Sequence, residues 1–237
     1  MAQLAYPVPW RLVFGLGPHI ANRTNTSVDA FSAGIVAQMD PPPLVIDEQL
    51  LPESARFVLV ANHFQRRGMW ILHPAAALTQ AIRKHYGPGD PPVRWIVTTN
   101  WPRLRLGPFS FASPGDILLP RVASALCCYP VSFAGANQAF TAGSIRRILR
   151  EAPRGDRPLG LFPEGVAGAA GAITDALPGV DRLLAHLAKA GMAVVPAGIS
   201  EKGRLVLRFS APIGPDELMR APNAAELAMH RVADLIS

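Results

Sequence analysis

Two short groups of polar residues follow apolar runs and are of types that could carry acid–base chemistry. Asn62 and His63 come directly after the apolar run of residues 56–61, and Glu164 comes two residues after the run of residues 158–162. An imidazole can take the proton of a hydroxyl and return it to a thiolate leaving group, as acyl transfer from a thioester to an alcohol requires. His63 is therefore a candidate general base, although a histidine beside an asparagine also fits a hydrogen-bonded structural role.

Glu164 is flanked by Pro163 and Gly165, which restrain the backbone on one side and leave it unobstructed on the other. This setting suits a carboxylate that contacts an acceptor hydroxyl. The alternative is a structural carboxylate that accepts backbone N–H bonds, and we place the functional interpretation first.

The elements around these residues alternate between strand and helix. The short, β-branched runs at 56–61 and 158–162 are typical of strands buried on both faces. Open α/β sheets place ligands and catalytic groups beyond the carboxyl ends of their strands, so both polar groups are expected at one edge. Helices are further predicted over residues 28–39, 70–85, 141–150, 179–189 and from the cap Asn223 to Ile236, and strands over 93–99, 129–133, 194–199 and 205–209.

This alternation predicts an α/β fold, a mostly parallel mixed sheet flanked by helices. We expect a short N-terminal accessory segment with a helix over residues 1–50 and one α/β domain over residues 51–237. Residues 100–120 are rich in proline, glycine, arginine and aromatic residues and are interpreted as a loop.

The composition limits the class of protein and its partners. Hydrophobic residues make up 49% of the 237 residues and charged residues 17%, which suits a packed chain with little disorder. The net charge of +6 favours an anionic partner such as lipid headgroups, nucleic acid or CoA-type ligands. No nucleic-acid-binding module is recognisable.

Compartment and membrane contact follow from a few further residues. Cys127 and Cys128 are adjacent, a spacing that suits neither a disulfide framework nor a metal site, and so favours a reducing compartment. The longest apolar run, residues 122–136, contains Pro130 and falls short of the roughly 18 residues that span a bilayer. We expect a cytoplasmic protein without a secretory signal, with peripheral contact at the inner face of the membrane.

Taken in order, the motifs resemble those of the glycerol-3-phosphate and 1-acylglycerol-3-phosphate (lysophosphatidate) acyltransferase family. In that family an N-H-x-x-x-x-D block supplies the general base, F-P-E-G contacts the acceptor, and a V-P element follows. The matching residues are Asn62 and His63, then Phe162, Pro163, Glu164 and Gly165, and later Val195 and Pro196. The resemblance covers roughly residues 57–200.

The resemblance implies transfer of a fatty acyl group to a hydroxyl of a glycerol-phosphate or lysophospholipid-like acceptor in phospholipid synthesis. The co-substrate would be acyl-CoA or acyl-carrier protein, with no other cofactor and no metal. His63 would be the base, and Asn62 and the residues of F-P-E-G would bind substrate.

The sequence departs from the family at three places. Gly68 stands where the motif has its aspartate, Ala134 lies where an acceptor-binding arginine is usual, and Val166-Ala167 replaces Thr-Arg. Loss of the equivalent carboxylate from a serine-protease triad costs about 10⁴-fold in turnover. Gln65, Asp116, Glu164 or a backbone carbonyl could orient the imidazole instead.

Two basic segments offer further binding groups. We hypothesise that Arg66 and Arg67 bind an anionic substrate group from another direction, the alternative being a solvated basic loop. The cluster Trp101, Pro102, Arg103 and Arg105 fits either a membrane edge or local packing.

The second function considered is a catalytically silent family member that binds acyl chains or lipid headgroups, favoured by Gly68. A serine hydrolase is excluded because the sequence has no G-x-S-x-G elbow.

Overall fold

The computed structural model describes residues 6–87, 92–99, 104–106, 109–111, 114–132, 138–166 and 172–236. The strands are β1 (Leu44–Ile46), β2 (Phe57–Ala61), β3 (Arg94–Thr98), β4 (Leu104–Leu106), β5 (Phe109–Phe111), β6 (Tyr129–Val131), β7 (Leu159–Leu161), β8 (Ala193–Glu201) and β9 (Leu205–Phe209). The helices are α1 (Trp10–Gly15), α2 (Gly17–Asn22), α3 (Val28–Val36), α4 (Leu72–Tyr86), α5 (Pro114–Ala125), α6 (Gln138–Glu151), α7 (Val180–Lys189), α8 (Pro215–Arg220) and α9 (Ala224–Ile236).

Seven strands form one mixed sheet in the order β1-β9-β8-β2-β7-β3-β6. Every neighbouring pair is parallel except β8 and β9, which are antiparallel. The predicted mostly parallel mixed sheet flanked by helices is confirmed. β4 and β5 form a separate antiparallel pair.

β2 lies in the middle of the sheet, and its register explains where the site forms. Val60 pairs with Leu161 of β7, and Ala61 pairs with Ala197 of β8. The residues that follow β2 and β7 therefore emerge side by side at one edge of the sheet, as the two apolar runs predicted.

The side chains of β2 alternate between two cores. Phe57, Leu59 and Ala61 pack on the side of α4, whereas Val58 and Val60 pack on the side of α7 and α9. All five residues are buried, which is why the run carries no polar alternation.

The loop predicted over residues 100–120 is wrong in its described parts, because β4, β5 and the first half of α5 lie there. Pro120 lies inside α5 and concealed the helix at the sequence level. In the N-terminal segment α1 and α2 precede α3, whereas the sequence predicted a helix only over residues 28–39. The division at residue 50 stays a prediction, with β1 of the first segment pairing with β9 at the edge of the sheet.

Candidate active site

The backbone of His63 is fixed where the chain leaves β2. Its N–H donates to Oε2 of Glu164, which follows β7. The imidazole is partly buried and meets the ring of Phe162 edge-on, with ring centroids 5.6 Å apart. The edge of the sheet thus unites His63 and the Phe162–Gly165 segment, as the sequence predicted.

Asn62 uses its side chain to join β2 to β8. Its Nδ2 donates to the carbonyl oxygen of Ile199 at 2.9 Å, and Ile199 N donates back to Oδ1 at 2.7 Å. The residue is buried. These two hydrogen bonds fix the backbone on the N-terminal side of His63. Substrate binding by Asn62 stays a prediction.

Glu164 directs both carboxylate oxygens at the protein itself. Oε1 accepts from Thr174 N at 2.7 Å, while Oε2 accepts from the N–H of His63. The residue is only 2% exposed. These contacts correspond to the structural role that the sequence analysis placed second, and contact with an acceptor hydroxyl stays a prediction.

Gly165 allows the turn that presents Glu164. Its φ is +68°, in the left-handed region, and a Cβ there would lie 2.3 Å from Cδ1 of Leu177. Its N–H donates to the carbonyl of Phe162 at 3.1 Å. A side chain at this position would displace Leu177 and with it the wall of the site.

The imidazole of His63 lacks an orienting partner in the described part of the chain. Its Nδ1 is buried and makes no hydrogen bond to any described residue. Burial lowers the pKa of the ring below its usual 6.5, and its own backbone carbonyl and the charge of Glu164 offset only part of this. That carbonyl favours the protonated ring without forming a hydrogen bond of normal geometry.

Among the substitutes that the sequence offered, Glu164 bonds to the backbone of His63 and not to its ring. Gln65 is exposed, and no described bond links it to the imidazole. The side chain of Asp116 lies outside the described residues, as do Ala134, Ala167 and the cluster Trp101, Pro102, Arg103 and the Arg105 side chain.

The loop after His63 is closed by Arg66. Its guanidinium pairs with both carboxylate oxygens of Glu201, with Nη2 2.8 Å from Oε1, and Nη1 donates to the carbonyl of Arg67 at 2.8 Å. Arg67 is exposed. The two arginines therefore differ, one engaged in holding the loop and the other directed to solvent, and anion binding by either stays a prediction.

An apolar cavity of about 220 Å³ adjoins the imidazole. It lies between α3 and α4 on one side and β3, β6 and β7 on the other. Its wall includes His63, Leu72, Trp95, Val131, Phe162 and Leu177. Burial raises the pKa of the Cys128 thiol in the same wall to about 12, so the thiol stays protonated at neutral pH and cannot compete as a nucleophile.

His63 and Phe162 in this wall were predicted as site residues, whereas sequence reasoning missed Trp95, which lies beside them. Trp95 stacks on Phe162 with centroids 4.9 Å apart, and its Nε1–H donates to Oγ1 of Thr79 at 3.0 Å. A tryptophan within a buried strand has the same sequence pattern whether it fills a core or lines a cavity. Only the sequence Leu159-Gly160-Leu161, a glycine inside a strand, hinted at a close approach by another group.

None of the helices in the described ranges combines the length and hydrophobicity needed to cross a membrane.

Comparisons with known proteins support the fold. No protein-family model matches the sequence, and no curated protein matches it either. Among solved structures, the chain is similar to the 1-acyl-sn-glycerophosphate (LPA) acyltransferase PlsC from Thermotoga maritima, with a TM-score of 0.53 at 14% sequence identity. The match covers 87% of this chain and 76% of that one, so the chain has the fold of that acyltransferase over most of its length.

Proposed function

We propose that the protein transfers an acyl group from a thioester, acyl-CoA or acyl-carrier protein, to a hydroxyl of a glycerol-phosphate or lysophospholipid-like acceptor. The observation that carries this proposal is the imidazole of His63 in the wall of an apolar cavity, next to Phe162 and Pro163. The fold shared with an acyltransferase supports it. The arrangement brings together a base and a space for an acyl chain.

In the proposed reaction His63 takes the proton of the acceptor hydroxyl. The oxygen attacks the thioester carbonyl carbon, the tetrahedral intermediate collapses, and the C–S bond breaks. The thiolate then receives the proton from the imidazolium, which restores the neutral base. Because Nδ1 is buried, Nε2 is the nitrogen assigned to this exchange.

The cavity suits the acyl chain of the donor. Its lining is mostly aliphatic and aromatic, and each methylene that leaves water contributes about 0.8 kcal/mol. A phosphorylated headgroup finds no Lys or Arg among the described residues that line the cavity, so we assign the cavity to the acyl chain and leave the acceptor outside it.

The state of the imidazole favours proton uptake from the acceptor in one respect and hinders it in another. Its lowered pKa keeps the ring neutral at neutral pH, ready to accept a proton. The tautomer that exposes a free Nε2 carries its proton on Nδ1, and an unpaired buried N–H costs about 1–3 kcal/mol. We therefore expect slower turnover than in a site with a carboxylate at Nδ1.

The acceptor would be reached at the inner face of the cytoplasmic membrane through an exposed aromatic patch, Trp10, Phe14 and Trp70. These side chains are 53%, 74% and 41% exposed. The ring of Trp10 lies 5.9 Å from each of the other two. Tryptophan favours the membrane interface, and residues 1–28 and 54–89, which supply the patch, contain no aspartate or glutamate.

Sedimentation with vesicles of anionic and of zwitterionic lipid tests the patch. The Trp10→Ala/Phe14→Ala protein is expected to lose binding to anionic vesicles, whereas Met219→Ala, which removes a side chain 49% exposed elsewhere, is expected to keep it. Equal binding by the parent and the double variant would exclude this surface.

Thiol release from acyl-CoA against a panel of acceptor alcohols tests the catalytic proposal. The parent protein is expected to release thiol in an acceptor-dependent way, and His63→Ala to fall to the uncatalysed rate. Equal rates in both proteins would rule out catalysis by His63.

A silent lipid-binding protein is the second candidate function, favoured by the unpartnered Nδ1 of His63. It predicts that acyl-CoA binds the parent and His63→Ala alike, without thiol release from either.

A further inference from the structure

We propose that Trp95 and Phe162 form an aromatic support that positions the His63 imidazole, with Thr79 as its anchor. This inference rests on the proposed function. These residues act through His63 and are positioning residues in the reaction.

The contacts form a continuous chain from the imidazole to α4. The Phe162 ring lies edge-on to His63 with centroids 5.6 Å apart, and it stacks on Trp95 at 4.9 Å with only 9° between the ring planes. Nε1 of Trp95 donates to Oγ1 of Thr79 at 3.0 Å, and that hydroxyl donates to the carbonyl of Ala75 at 2.8 Å. The indole is thereby held by its stacked face on Phe162 and by its N–H on Thr79.

Gly160 provides the space that the indole occupies. A Cβ at this position of β7 would lie 2.6 Å from Cε3 of Trp95, closer than side-chain contacts allow. The indole therefore lies directly against the backbone of the strand that leads to Phe162. Trp95 is 5% exposed and Thr79 is 1% exposed, so neither is free to move away.

Such a support matters because the backbone bonds do not determine the angle of the ring. Glu164 binds the N–H of His63, and Asn62 is joined to β8 just before it. These bonds fix the main chain that enters His63 but leave the torsions of its side chain free. A hydrogen bond at Nδ1 would restrict them, and no described residue makes one. Among the residues that the structure describes, the edge-on contact with Phe162 is the directional restraint left for the ring.

Three variants separate positioning from simple packing. Trp95→Leu removes the stack, Trp95→Phe keeps a ring on Phe162 without the N–H, and Thr79→Val removes the anchor with little change of shape. Phe57→Leu is the matched control, because Phe57 is also buried, lies at the far end of β2 and packs beside Tyr86.

The first readout is the His63 ring itself, observed by NMR with labelled histidine. The sequence has six histidines, and the missing signal in His63→Gln assigns the right one. The parent is expected to show one ring environment with a pKa below 6.5. In Trp95→Leu the signals should broaden or average, and the pKa should move towards 6.5. Trp95→Phe and Thr79→Val each lose the hydrogen bond between Nε1 and Oγ1 but keep a ring stacked on Phe162, so both spectra should lie between those of the parent and Trp95→Leu.

The second readout is steady-state thiol release with a short-chain acyl-CoA, because Trp95 also lines the cavity and a long chain would add an effect on KM. A misplaced base costs up to about 10²-fold, so kcat should fall towards that extent in Trp95→Leu with KM for the acceptor unchanged. Phe57→Leu should lower stability but leave kcat in place.

Unchanged His63 signals in Trp95→Leu would overturn the proposal, and so would equal losses of kcat in Trp95→Leu and Phe57→Leu. If Trp95→Leu does not fold, Trp95→Phe and Thr79→Val decide, because both remove the anchoring hydrogen bond. His63 signals identical to those of the parent in both variants would overturn the proposal. The NMR result is independent of turnover, so a parent protein without acyltransferase activity refutes the proposed function while the positioning of the ring is still measured.

Discussion

Replacing Gly68 with aspartate introduces the residue type found at this position of the acyltransferase motif that the sequence resembles, and tests whether one carboxylate is enough to complete the site. Gly68 has φ of +81°, in the left-handed region that residues with a Cβ adopt at a cost of roughly 1–2 kcal/mol. Aspartate tolerates this region better than most residues, so Gly68→Asp should cost less than Gly68→Ala.

The surroundings of Gly68 indicate where the new carboxylate would bind. Within 4 Å of a Cβ at this position the nearest atom is Nη1 of Arg66, at 3.9 Å, and no atom of the His63 ring lies inside that radius. Aspartate would therefore pair with Arg66, which Glu201 already holds. An exposed pair of this kind contributes about 0–1 kcal/mol, which does not exceed the backbone strain.

We expect Gly68→Asp to leave kcat for thiol release unchanged and the pKa of His63 below 6.5. Thermal unfolding should show Tm lowered by about 2–8 °C in Gly68→Ala, since 1 kcal/mol corresponds to about 2–4 °C at this chain length. A smaller decrease is expected in Gly68→Asp. A tenfold gain in kcat in Gly68→Asp that is absent in Gly68→Ala would refute this reasoning, because the loop would then be able to deliver a carboxylate to the imidazole.

Four other predictions concern the same edge of the sheet. Glu164→Gln places an amide N–H₂ opposite the backbone N–H of His63 or Thr174, and leaving one buried donor unpaired should cost about 1–3 kcal/mol in the free energy of urea unfolding; an unchanged unfolding midpoint would contradict the two bonds. Because burial lowers the pKa of His63, the acid limb of kcat/KM should have its midpoint below 6.5, and a midpoint at or above 6.5 in a pH–rate profile would count against His63 as the base. For the same reason, as pH falls His63 takes up a proton near pH 6.5 in the unfolded chain before it does so in the folded one. The contribution of His63 to the free energy of unfolding is therefore complete above pH 6.5 and is lost as pH falls through the lowered pKa. His63→Ala should not show this loss. Affinity for phosphorylated acceptors and acyl-CoA should fall in Arg66→Ala/Arg67→Ala, and unchanged affinity for all of them would exclude anion binding by this loop.

The sheet edge was predictable because its strands are short runs of large apolar residues. The predicted run of residues 56–61 and the observed strand Phe57–Ala61 differ by one residue, and the amphipathic spacing of residues 179–189 gave α7 equally well. Burial on both faces determines such sequences locally. α5 was missed because Pro120 is a helix breaker in most contexts, and tertiary packing overrides that tendency here.

The contacts of the site were not predictable from the sequence for a different reason. Trp95 and Phe162 are 67 positions apart, and Asn62 and Ile199 are 137 apart, so each contact depends on the strand order of the sheet. Nothing local distinguishes an asparagine that binds substrate from one that joins two strands. The sequence indicated which residues meet at the edge, and the structure shows which of their polar groups are already engaged with the backbone.

Because these polar groups bond to the backbone, the presence of the motif residues is weak evidence for catalysis. The Glu164 carboxylate and the Asn62 amide both bond to main-chain groups next to His63 or across from it, so an active enzyme and a silent lipid-binding protein would need them equally to form this edge of the sheet. The two proposed functions therefore differ only at the imidazole ring, in its protonation and its orientation. Measurements on that ring decide between them: its pKa, its mobility and the effect of its removal on thiol release. Glu164 and Asn62 variants do not decide, because an incorrectly folded edge would impair acyl transfer in an enzyme and lipid binding in a silent protein alike.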